Sequence, residues 1–269
     1  MSAQSRTRIL LANDDGHTAP GLHALERALQ RTFGEPGLAE IWVVAPDGER
    51  SATSNAITIR SELQLIQRGE RRFSLSGFPA DCVNVALFAD LLPAFDLVIS
   101  GINHGPNLGD DVHYSGTVAA ARQAAVHILP GVAISYADYT PDTADLDAAA
   151  RWLAEWLLQN RAELNAGIVY NINYPHRQGK AAADLPPEPR WTYQGKRTYH
   201  DEYAVRPNGD GEWWLQIKET DFGHVKQDHS DSEAVVAGHI SLTPLSTFTT
   251  DRRELRKWFQ RTKTRTRAT

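Results

Sequence analysis

The sequence predicts an α/β protein with three layers: a doubly wound, mostly parallel, Rossmann-like sheet, followed by a C-terminal lobe of extended arms and a β-hairpin. Three observations support this. Short apolar runs recur along the first part of the chain, helical apolar patterns separate them, and both patterns fade after Tyr174. Alternation of buried strands with helices is typical of a parallel sheet covered on both faces. We therefore expect residues 1–174 to form the core and residues 175–269 to form the C-terminal lobe.

Five apolar runs have the length and composition of strands that are buried on both faces. They are Ile9–Ala12, Ile41–Ala45, Leu97–Ser100, Val132–Tyr136 and Ile168–Ile172. Three further segments alternate apolar and polar residues, which predicts antiparallel strands beside the main sheet. These segments are Ile57–Ile59, Gln64–Gln67 and Arg72–Ser76.

Between the predicted strands, apolar residues recur at the three- and four-residue spacing of helices. These segments are Pro20–Phe33, Ala80–Leu91, Gly116–Ile128 and Ala144–Asn160. Beyond Tyr174, prolines interrupt a stretch with few periodic apolar segments. There we expect a hairpin arm at Trp213–Lys218, a strand at Gly238–Pro244 and a helix at Arg252–Gln260. So little helix over roughly 60 residues favours arms that are stabilised by another subunit.

The composition is that of an ordinary globular protein, with 41% hydrophobic and 23% charged residues and a formal net charge of −5. A negative net charge disfavours polymeric nucleic acid as a partner, and no apolar run is long enough for a membrane span. The N-terminal apolar run lacks the features of a signal peptide, so we expect a cytoplasmic protein. The basic run Arg252–Arg267 favours a solvated helix or an arm on a partner subunit over a nucleic-acid contact. The single cysteine, Cys82, is expected to be a buried thiol rather than a nucleophile.

Three polar clusters follow predicted strands. The first strand runs into NDDG at 13–16, the second into APDGERS at 45–51, and the strand at Leu97–Ser100 into GINHGPN at 101–107. In an open parallel sheet, ligands bind beyond the carboxyl ends of the strands. We therefore expect these three loops to meet at one edge of the sheet.

The neighbouring carboxylates of Asp14 and Asp15 repel each other unless a cation lies between them. Mg²⁺ and Mn²⁺ prefer oxygen ligands, and Ser51 and Asn103 can supply a hydroxyl and an amide oxygen. A turn with Asx capping is the alternative for NDDG, but its position after a buried strand favours metal binding. The sequence contains no Gly-x-Ser-x-Gly elbow and no P-loop, so a serine hydrolase or a nucleoside triphosphatase has little support, and no histidine pair has the spacing of a zinc helix.

The segment NLGDD at 107–111 precedes YSGT at the start of an alanine-rich helix. Free N–H groups at a helix N-terminus bind phosphate, and the hydroxyls of Ser115 and Thr117 can add donors. The alternative is that Ser115 only caps the helix. Asp110 and Asp111 are expected to support this loop rather than bind the ligand, since further carboxylates would repel phosphate. His104 is either a surface-loop histidine or an acid near the site.

Four motifs stand in a fixed order between residues 8 and 136: ILLANDDG, VVAPDGERSATSNAIT, SGFPADCVNVAL and SGINHGPNLGDDVHYSGTVAAA. The segments VYNINYP, TDFGHVKQDHSDSEAV and HISLTPLSTFTTD follow them. Together they resemble the SurE family of survival-protein nucleotidases, and the resemblance extends over nearly the whole chain.

The resemblance implies that one Mg²⁺ or Mn²⁺ ion per subunit is ligated by Asp14, Asp15, Ser51 and Asn103. Asp14, Asp15 and Asn103 are then also the catalytic residues. It further places phosphate near a second set of residues, namely Gly16, Asn107, Ser115, Gly116 and Thr117. The sequence departs from the family pattern at Ala52, where glycine is usual, at Phe78, where threonine is usual, and at Gln123, where glutamate is common. None of these three is a proposed ligand, but they bear on substrate preference and on the shape of the pocket wall.

The same resemblance implies hydrolysis of nucleoside 5′- and 3′-monophosphates to nucleoside and phosphate, with short-chain polyphosphate as a further substrate. It also implies homodimers or homotetramers joined by the C-terminal arms. Two routes are open for the reaction: in-line attack by water, with charge stabilised by the metal, or attack by Asp14 on phosphorus. The alternative to an enzyme is a nucleotide-binding sensor without turnover.

Overall fold

The protein is described here by a computed structural model covering residues 6–176, 187–218 and 222–266, the last six by their backbone alone. The strands are β1 Thr7–Ala12, β2 Ala39–Pro46, β3 Leu65–Gly69, β4 Arg72–Leu75, β5 Leu97–His104, β6 Gly131–Tyr136, β7 Ile168–Tyr174, β8 Pro189–Trp191, β9 Arg197–Thr198, β10 Tyr203–Pro207, β11 Trp213–Ile217, β12 Gly223–His224 and β13 Ile240–Ser246. The helices are α1 Pro20–Leu29, α2 Pro79–Phe88, α3 Gly116–Val126, α4 Thr143–Asn160, α5 Asp231–Val236 and α6 Arg252–Thr266. A π-helical segment, Gln30–Gly34, continues α1.

Nine of these strands form one sheet in the order β3-β4-β2-β1-β5-β6-β7-β13-β8. The six strands from β4 to β7 are parallel to one another. At the two ends of this set, β3 is antiparallel to β4 and β13 is antiparallel to β7, while β8 is parallel to β13. The predicted α/β class with a mostly parallel sheet is thus confirmed. No helix in the described ranges combines the length and the apolarity needed to cross a bilayer.

Side chains of β1 alternate between two cores because successive residues of a strand point to opposite faces. Ile9 and Leu11 pack with α1 and α4 on one face. Leu10 and Ala12 pack with α2 and α3 on the other. Helices on both faces explain why the central strands read as continuous apolar runs rather than alternating ones.

All but one of the strands and helices predicted for the core are present, although they begin and end at different residues. Ile57–Ile59 is not a strand, and Ile59 is 81% exposed. Thr58 donates its N–H and its hydroxyl to the carboxylate of Asp81, at 2.9 and 2.8 Å, so side-chain hydrogen bonds replace a strand ladder here. The other two segments, now β3 and β4, extend the main sheet instead of lying beside it, and β4 is parallel to β2. The helix predicted to reach Leu91 ends at Phe88.

Beyond Tyr174 the predicted hairpin arm, strand and terminal helix are present as β11, β13 and α6. β11 pairs with β10, and β13 pairs with β7 of the core. The expected boundary at residue 174 therefore does not coincide with an edge of the sheet, and the two-lobe division stays a prediction. Within the basic run, Arg267 lies outside the described residues.

Gly21 of α1 lies against the backbone carbonyl of Ile102, and a Cβ at this position would overlap that oxygen. Gly21→Ala forces the helix away from β5 in a closely packed interior. We expect the free energy of unfolding to fall by about 1–3 kcal/mol, as measured by urea denaturation. Gly69→Ala is the control, because a Cβ there meets only the Arg72 side chain at 3.5 Å. Equal stability of the two variants would contradict this account of the packing.

Candidate functional site

The loops that follow β1, β2 and β5 surround a cavity of about 770 Å³. Part of its wall comes from chain segments beyond residue 174. The lining residues are Asp14, Asp15, Glu49, Ser51, Ala52, Asn103, His104, Pro106, Asn107, Asp111, Tyr114, Ser115, Tyr139, Arg197, Tyr199, Asp201, Ile217 and Phe222. The cavity thus brings together all four candidate metal ligands and two of the five candidate phosphate-binding residues.

Asp14 follows β1 directly and is only 3% exposed. The hydroxyl of Thr117 donates a hydrogen bond to its carboxylate. Gly116 lets the start of α3 approach, since a Cβ there would come within 2.7 Å of the Asp14 Cβ. Burial raises the pKa of Asp14, and the hydrogen bond from Thr117 opposes this rise. The N-terminus of α3 therefore packs closely against Asp14 and is hydrogen-bonded to it.

Asp15 is partly buried, and its Oδ2 atom has no hydrogen-bond partner among the described residues. Burial, followed by the negative charges of Asp14 and Glu49, raises the pKa of Asp15 to about 7. An unpartnered carboxylate oxygen next to other carboxylates is energetically unfavourable without a neutralising partner. The pair is thus suited to a cation rather than to a structural turn alone.

Ser51 and Asn103 bring neutral oxygens to the same cavity. The Ser51 hydroxyl donates to Glu49 Oε1 at 2.9 Å and keeps its lone pairs. Asn103 donates through Nδ2 to the carbonyl of Gly105 at 2.8 Å. This contact turns the amide nitrogen towards its own loop and leaves Oδ1 without a donor in the described part of the chain. Both groups can therefore act as oxygen ligands.

The chemistry of this donor set fits a hard divalent cation. Two carboxylates, a hydroxyl and an amide oxygen, with water completing the shell, match the preferences of Mg²⁺ and Mn²⁺. No group of three or more His, Cys, Asp or Glu side chains suited to a metal occurs within residues 6–176, 187–218 and 222–266. A site here would therefore depend on the neutral oxygens of Ser51 and Asn103 as well as on the acidic pair.

Ser115 caps α3 by accepting the N–H of Val118 at 3.1 Å, and it also lines the cavity. Its hydroxyl proton is free to point towards a bound ligand. Gly116 and Thr117 lie behind it, against Asp14, and do not line the cavity. Gly16 also lies outside the lining and adopts a φ of +97°, close to the backbone of Gly48. The capping role and the proposed role in phosphate binding are thus compatible for Ser115.

Asn107 lines the cavity from a buried polar network. Its Nδ2 donates to the hydroxyl of Ser135, and its N–H donates to Asn173 Oδ1, both at 2.7 Å. Its carbonyl accepts hydrogen bonds from the side chains of Asn171 and Asn173. The backbone of this loop is therefore fixed by β6 and β7, and one side-chain N–H of Asn107 remains for a ligand.

The chain beyond residue 174 supplies two cavity residues that the sequence analysis did not predict, Arg197 and Tyr199. The Arg197 side chain is 9% exposed, and its Nε lies 2.9 Å from Asp111 Oδ2. The Tyr199 hydroxyl donates to the other oxygen of Asp111 at 2.8 Å, and Lys196 pairs with Asp110 at 2.9 Å. Asp110 and Asp111 thus contact residues beyond residue 174, and their role in supporting the loop stays a prediction. Nothing in the local sequence around Arg197 reveals this contact, since its partner lies 86 residues away.

His104 is half-buried at the cavity, and its Nε2 is buried without a partner among the described residues. Burial lowers the pKa of His104.

Ala52 lies in the left-handed region at a φ of 55°, where glycine is favoured. Phe78 does not line the cavity, so the expectation that it reshapes the pocket wall is wrong. Gln123 donates to Asn84 and accepts from Asn55, so an amide suits both contacts at this position.

Comparison with known proteins gives a consistent result. A family model described as survival protein SurE matches residues 9–201. The 5′-nucleotidase SurE of Leptospira interrogans is 37% identical over 243 residues, which cover 90% of this chain and 93% of the relative. The 5′-nucleotidase SurE of Geotalea daltonii is 39% identical over 245 residues, covering 88% and 92%. The crystal structure of SurE protein from Aquifex aeolicus superposes with a TM-score of 0.76 at 29% identity, covering 93% of this chain and 97% of that one.

Proposed function

The chain belongs to the SurE family, and on that basis we propose that it is a phosphomonoesterase that hydrolyses nucleoside 5′-monophosphates to nucleoside and phosphate. The observation that carries the proposal is the acidic pair of buried Asp14 and partly buried Asp15, which lines a cavity of about 770 Å³ beside the N-terminus of α3. A cation site next to a phosphate site, within a pocket of mononucleotide size, suits this reaction. Relatives named 5′-nucleotidase support the substrate class. We extend the proposal to nucleoside 3′-monophosphates and short polyphosphate.

The proposed cofactor is one Mg²⁺ or Mn²⁺ ion per subunit, held by Asp14, Asp15, Ser51 and Asn103. When bound, such an ion supplies positive charge to the phosphoryl oxygens as negative charge develops on them. The hydrogen bond from Thr117 keeps the Asp14 carboxylate in one orientation, and the bond from Asn103 Nδ2 to the Gly105 carbonyl fixes the amide of a residue that lines the cavity. The protein thus provides a rigid set of oxygens in advance of binding.

The remaining phosphoryl oxygens are proposed to be bound at the start of α3. Ser115 and Asn107 both line the cavity, and the Ser115 hydroxyl and the remaining side-chain N–H of Asn107 can donate to a ligand. Gly16 lies in the loop after β1, and Gly116 and Thr117 lie in the first turn of α3. We propose that these three residues contribute to phosphate binding by fixing the backbone at those places. The positive end of the helix dipole adds to the attraction.

Two routes remain for the displacement. In one, a water oxygen bonds to phosphorus while the ester bond to the nucleoside breaks. In the other, the Asp14 carboxylate displaces the nucleoside and forms an acyl-phosphate that water then hydrolyses. Trapping a phosphorylated Asp14 during turnover distinguishes them, because only the second route places the phosphoryl group on the enzyme.

The proposed function predicts metal-dependent phosphate release from AMP and GMP. We expect release with added Mg²⁺ or Mn²⁺, loss of release with excess chelator, and recovery when the metal is restored. The same assay with 3′-AMP and short polyphosphate tests the wider substrate range. Nucleotide binding by equilibrium dialysis, without phosphate release under any metal condition, would instead establish the sensor alternative.

We also propose that the protein forms homodimers or homotetramers through the β10–β11 hairpin. Opposed residues of an antiparallel pair point to the same face, so this hairpin has one wholly apolar face. It consists of Tyr203, Val205, Pro207, Trp213, Leu215 and Ile217. All six are exposed in the single chain, and an isolated hairpin is marginally stable in water. A second copy of the chain is the proposed cover.

A further inference from the structure

One buried carboxylate joins three segments of the chain. Asp231 is the first residue of α5, and its side chain is fully buried. Its Oδ2 accepts the N–H of Gly109 at 2.8 Å, and its Oδ1 accepts the N–H of Gly195 at 3.0 Å. Oδ1 also accepts the N–H and the hydroxyl of Ser232, at 2.7 and 3.2 Å. Hydrogen-bond donors offset the cost of burying a carboxylate, so the burial of Asp231 depends on all three segments.

The two distant contacts of Asp231 both lead to the cavity. Gly109 lies two residues after Asn107, in the loop that leads into α3, and Gly195 lies two residues before Arg197. Asn107 and Arg197 line the cavity, whereas Asp231 does not. Asp231 therefore acts on the cavity only through the backbone of residues next to its wall.

The junction around Asp231 is closely packed. A Cβ on Gly195 would lie 2.7 Å from Asp231 Oδ1, and a Cβ on Gly109 would lie 3.1 Å from the backbone nitrogen of Arg197. Gly109 also has a φ of +52°, a conformation that favours glycine. The lack of two side chains thus lets both loops approach the carboxylate, and a shift of either loop breaks its hydrogen bond.

Helix capping alone does not explain Asp231. Ser230 already caps α5 through its side chain. An acidic residue in the first turn also favours a helix through the helix dipole, and the contact with Ser232 is local. The contacts with Gly109 and Gly195, in contrast, span 122 and 36 residues of the chain. They fasten two loops to α5 and contribute nothing to the end of the helix itself.

The loop that carries Asn107 is thereby held from two sides. On one side, the side chains of Asn171 and Asn173 in β7 bind the Asn107 backbone. On the other side, Asp231 binds the N–H of Gly109. Loss of the second anchor leaves the loop attached to the sheet but free to shift towards α3.

We propose that Asp231 is a positioning residue for the reaction, which holds the loop of Asn107 in the geometry in which that side chain meets the phosphoryl group. This inference rests on the proposed function, because it names the residue that keeps part of the same site in place. Misplacement of a binding group by about 1 Å lowers a reaction rate by about a hundredfold. Asp231 thus affects the rate of hydrolysis without touching the substrate.

The test is Asp231→Asn, measured as kcat/KM for AMP. The variant keeps the size of the side chain, but its amide has one acceptor oxygen and turns an N–H donor towards one of the two distant N–H groups. We expect kcat/KM to fall by about tenfold to a hundredfold. Thermal stabilisation by Mn²⁺ should equal that of the parent, because Asp231 does not contact the acidic pair.

A double-mutant cycle separates positioning from a general loss of stability. In an Asn107→Ala background, Asp231→Asn should lower kcat/KM for AMP by about threefold or less, because the side chain that it positions is gone. A purely structural role would lower kcat/KM by the same factor in both backgrounds. Equal factors would therefore overturn the positioning role.

Asp142→Asn is the matched control. Asp142 caps α4 by accepting the N–H of Asp145 at 2.9 Å, and it does not line the cavity. The same change of a helix-terminal carboxylate to an amide should leave kcat/KM for AMP at the parent value.

If Asp231→Asn shows no cooperative unfolding transition, Gly195→Ala takes its place. Its Cβ displaces the Asp231 carboxylate but keeps the charge, and kcat/KM for AMP should fall by about tenfold or more. Parent activity in either folded variant would overturn the positioning role and leave the proposed function in place. A parent protein that releases no phosphate from AMP under any metal condition would instead overturn the proposed function.

Discussion

Asp15→Asn is expected to lower kcat/KM for AMP by at least about a thousandfold and to abolish stabilisation of the protein by Mn²⁺. The substitution keeps the size of the side chain and removes one of the two charges that neutralise the proposed cation. Loss of an ionic ligand from a set of four weakens metal binding, and the phosphoryl charge then lacks its counter-charge. Phosphate release and thermal unfolding, each with Mn²⁺ and with chelator, measure the two effects.

The same variant should be more stable than the parent when metal is removed. Asp15 lies next to Asp14 and Glu49, with one carboxylate oxygen buried and unpartnered among the described residues, so its charge opposes folding without a cation. Ligands that bind only the folded state raise the unfolding temperature, so Mn²⁺ should stabilise the parent alone. A metal-binding carboxylate therefore predicts that Asp15→Asn is more stable than the parent without metal and gains no stability from Mn²⁺. Loss of a structural carboxylate would instead destabilise the protein both with Mn²⁺ and with chelator.

Asp90→Asn serves as the control, since it makes the same charge change in an exposed turn after α2, away from the cavity. It should preserve both phosphate release and the response to Mn²⁺. A metal response in Asp15→Asn equal to that of the parent would show that the acidic pair is not the cation site.

Leu215→Glu is expected to dissociate the proposed oligomer. Leu215 lies opposite Val205 on the apolar face of the β10–β11 hairpin and is 64% exposed in the single chain. Burial of an unpaired carboxylate in an apolar interface costs several kcal/mol, which corresponds to a weakening of association by about a hundredfold or more. Light scattering coupled to size-exclusion chromatography should give a multiple of 29.8 kDa for the parent and 29.8 kDa for the variant at micromolar concentration.

Gln216→Glu provides a matched control on the opposite face of the same strand, where Gln216 pairs with Ala204. It adds the same charge and should leave the mass of the assembly unchanged. A parent that runs as a 29.8 kDa monomer, or equal dissociation of both variants, would refute assembly through the apolar face of the hairpin.

Part of the candidate site can be predicted from local sequence patterns. Asp14, Ser51 and Asn103 were predicted to converge because each follows a buried strand, and the carboxyl ends of parallel strands share one edge of a sheet. All three line the same cavity. The buried strands could be recognised because helices on both faces make their apolar runs continuous.

Other parts of the structure depend on contacts with residues that are distant in the sequence, which no local pattern specifies. Ile57–Ile59 alternates like a strand, yet contacts with Asp81 replace strand pairing there. Arg197 and Tyr199 occupy a weakly patterned segment, and only the contact with Asp111 brings them to the cavity. Phe222 likewise reaches the site through its packing on Tyr199.

The sequence by itself determined the alternation of strands and helices, the edge of the sheet where polar loops gather, and the acidic pair at its centre. These properties follow from periodicity and from position along one element, which are local. The tertiary structure alone decided which strands join the sheet beyond Tyr174, which loop stays unpaired, and which distant side chains complete the cavity. Those outcomes depend on contacts between residues far apart in the chain, whose free energy arises only when the packed elements meet.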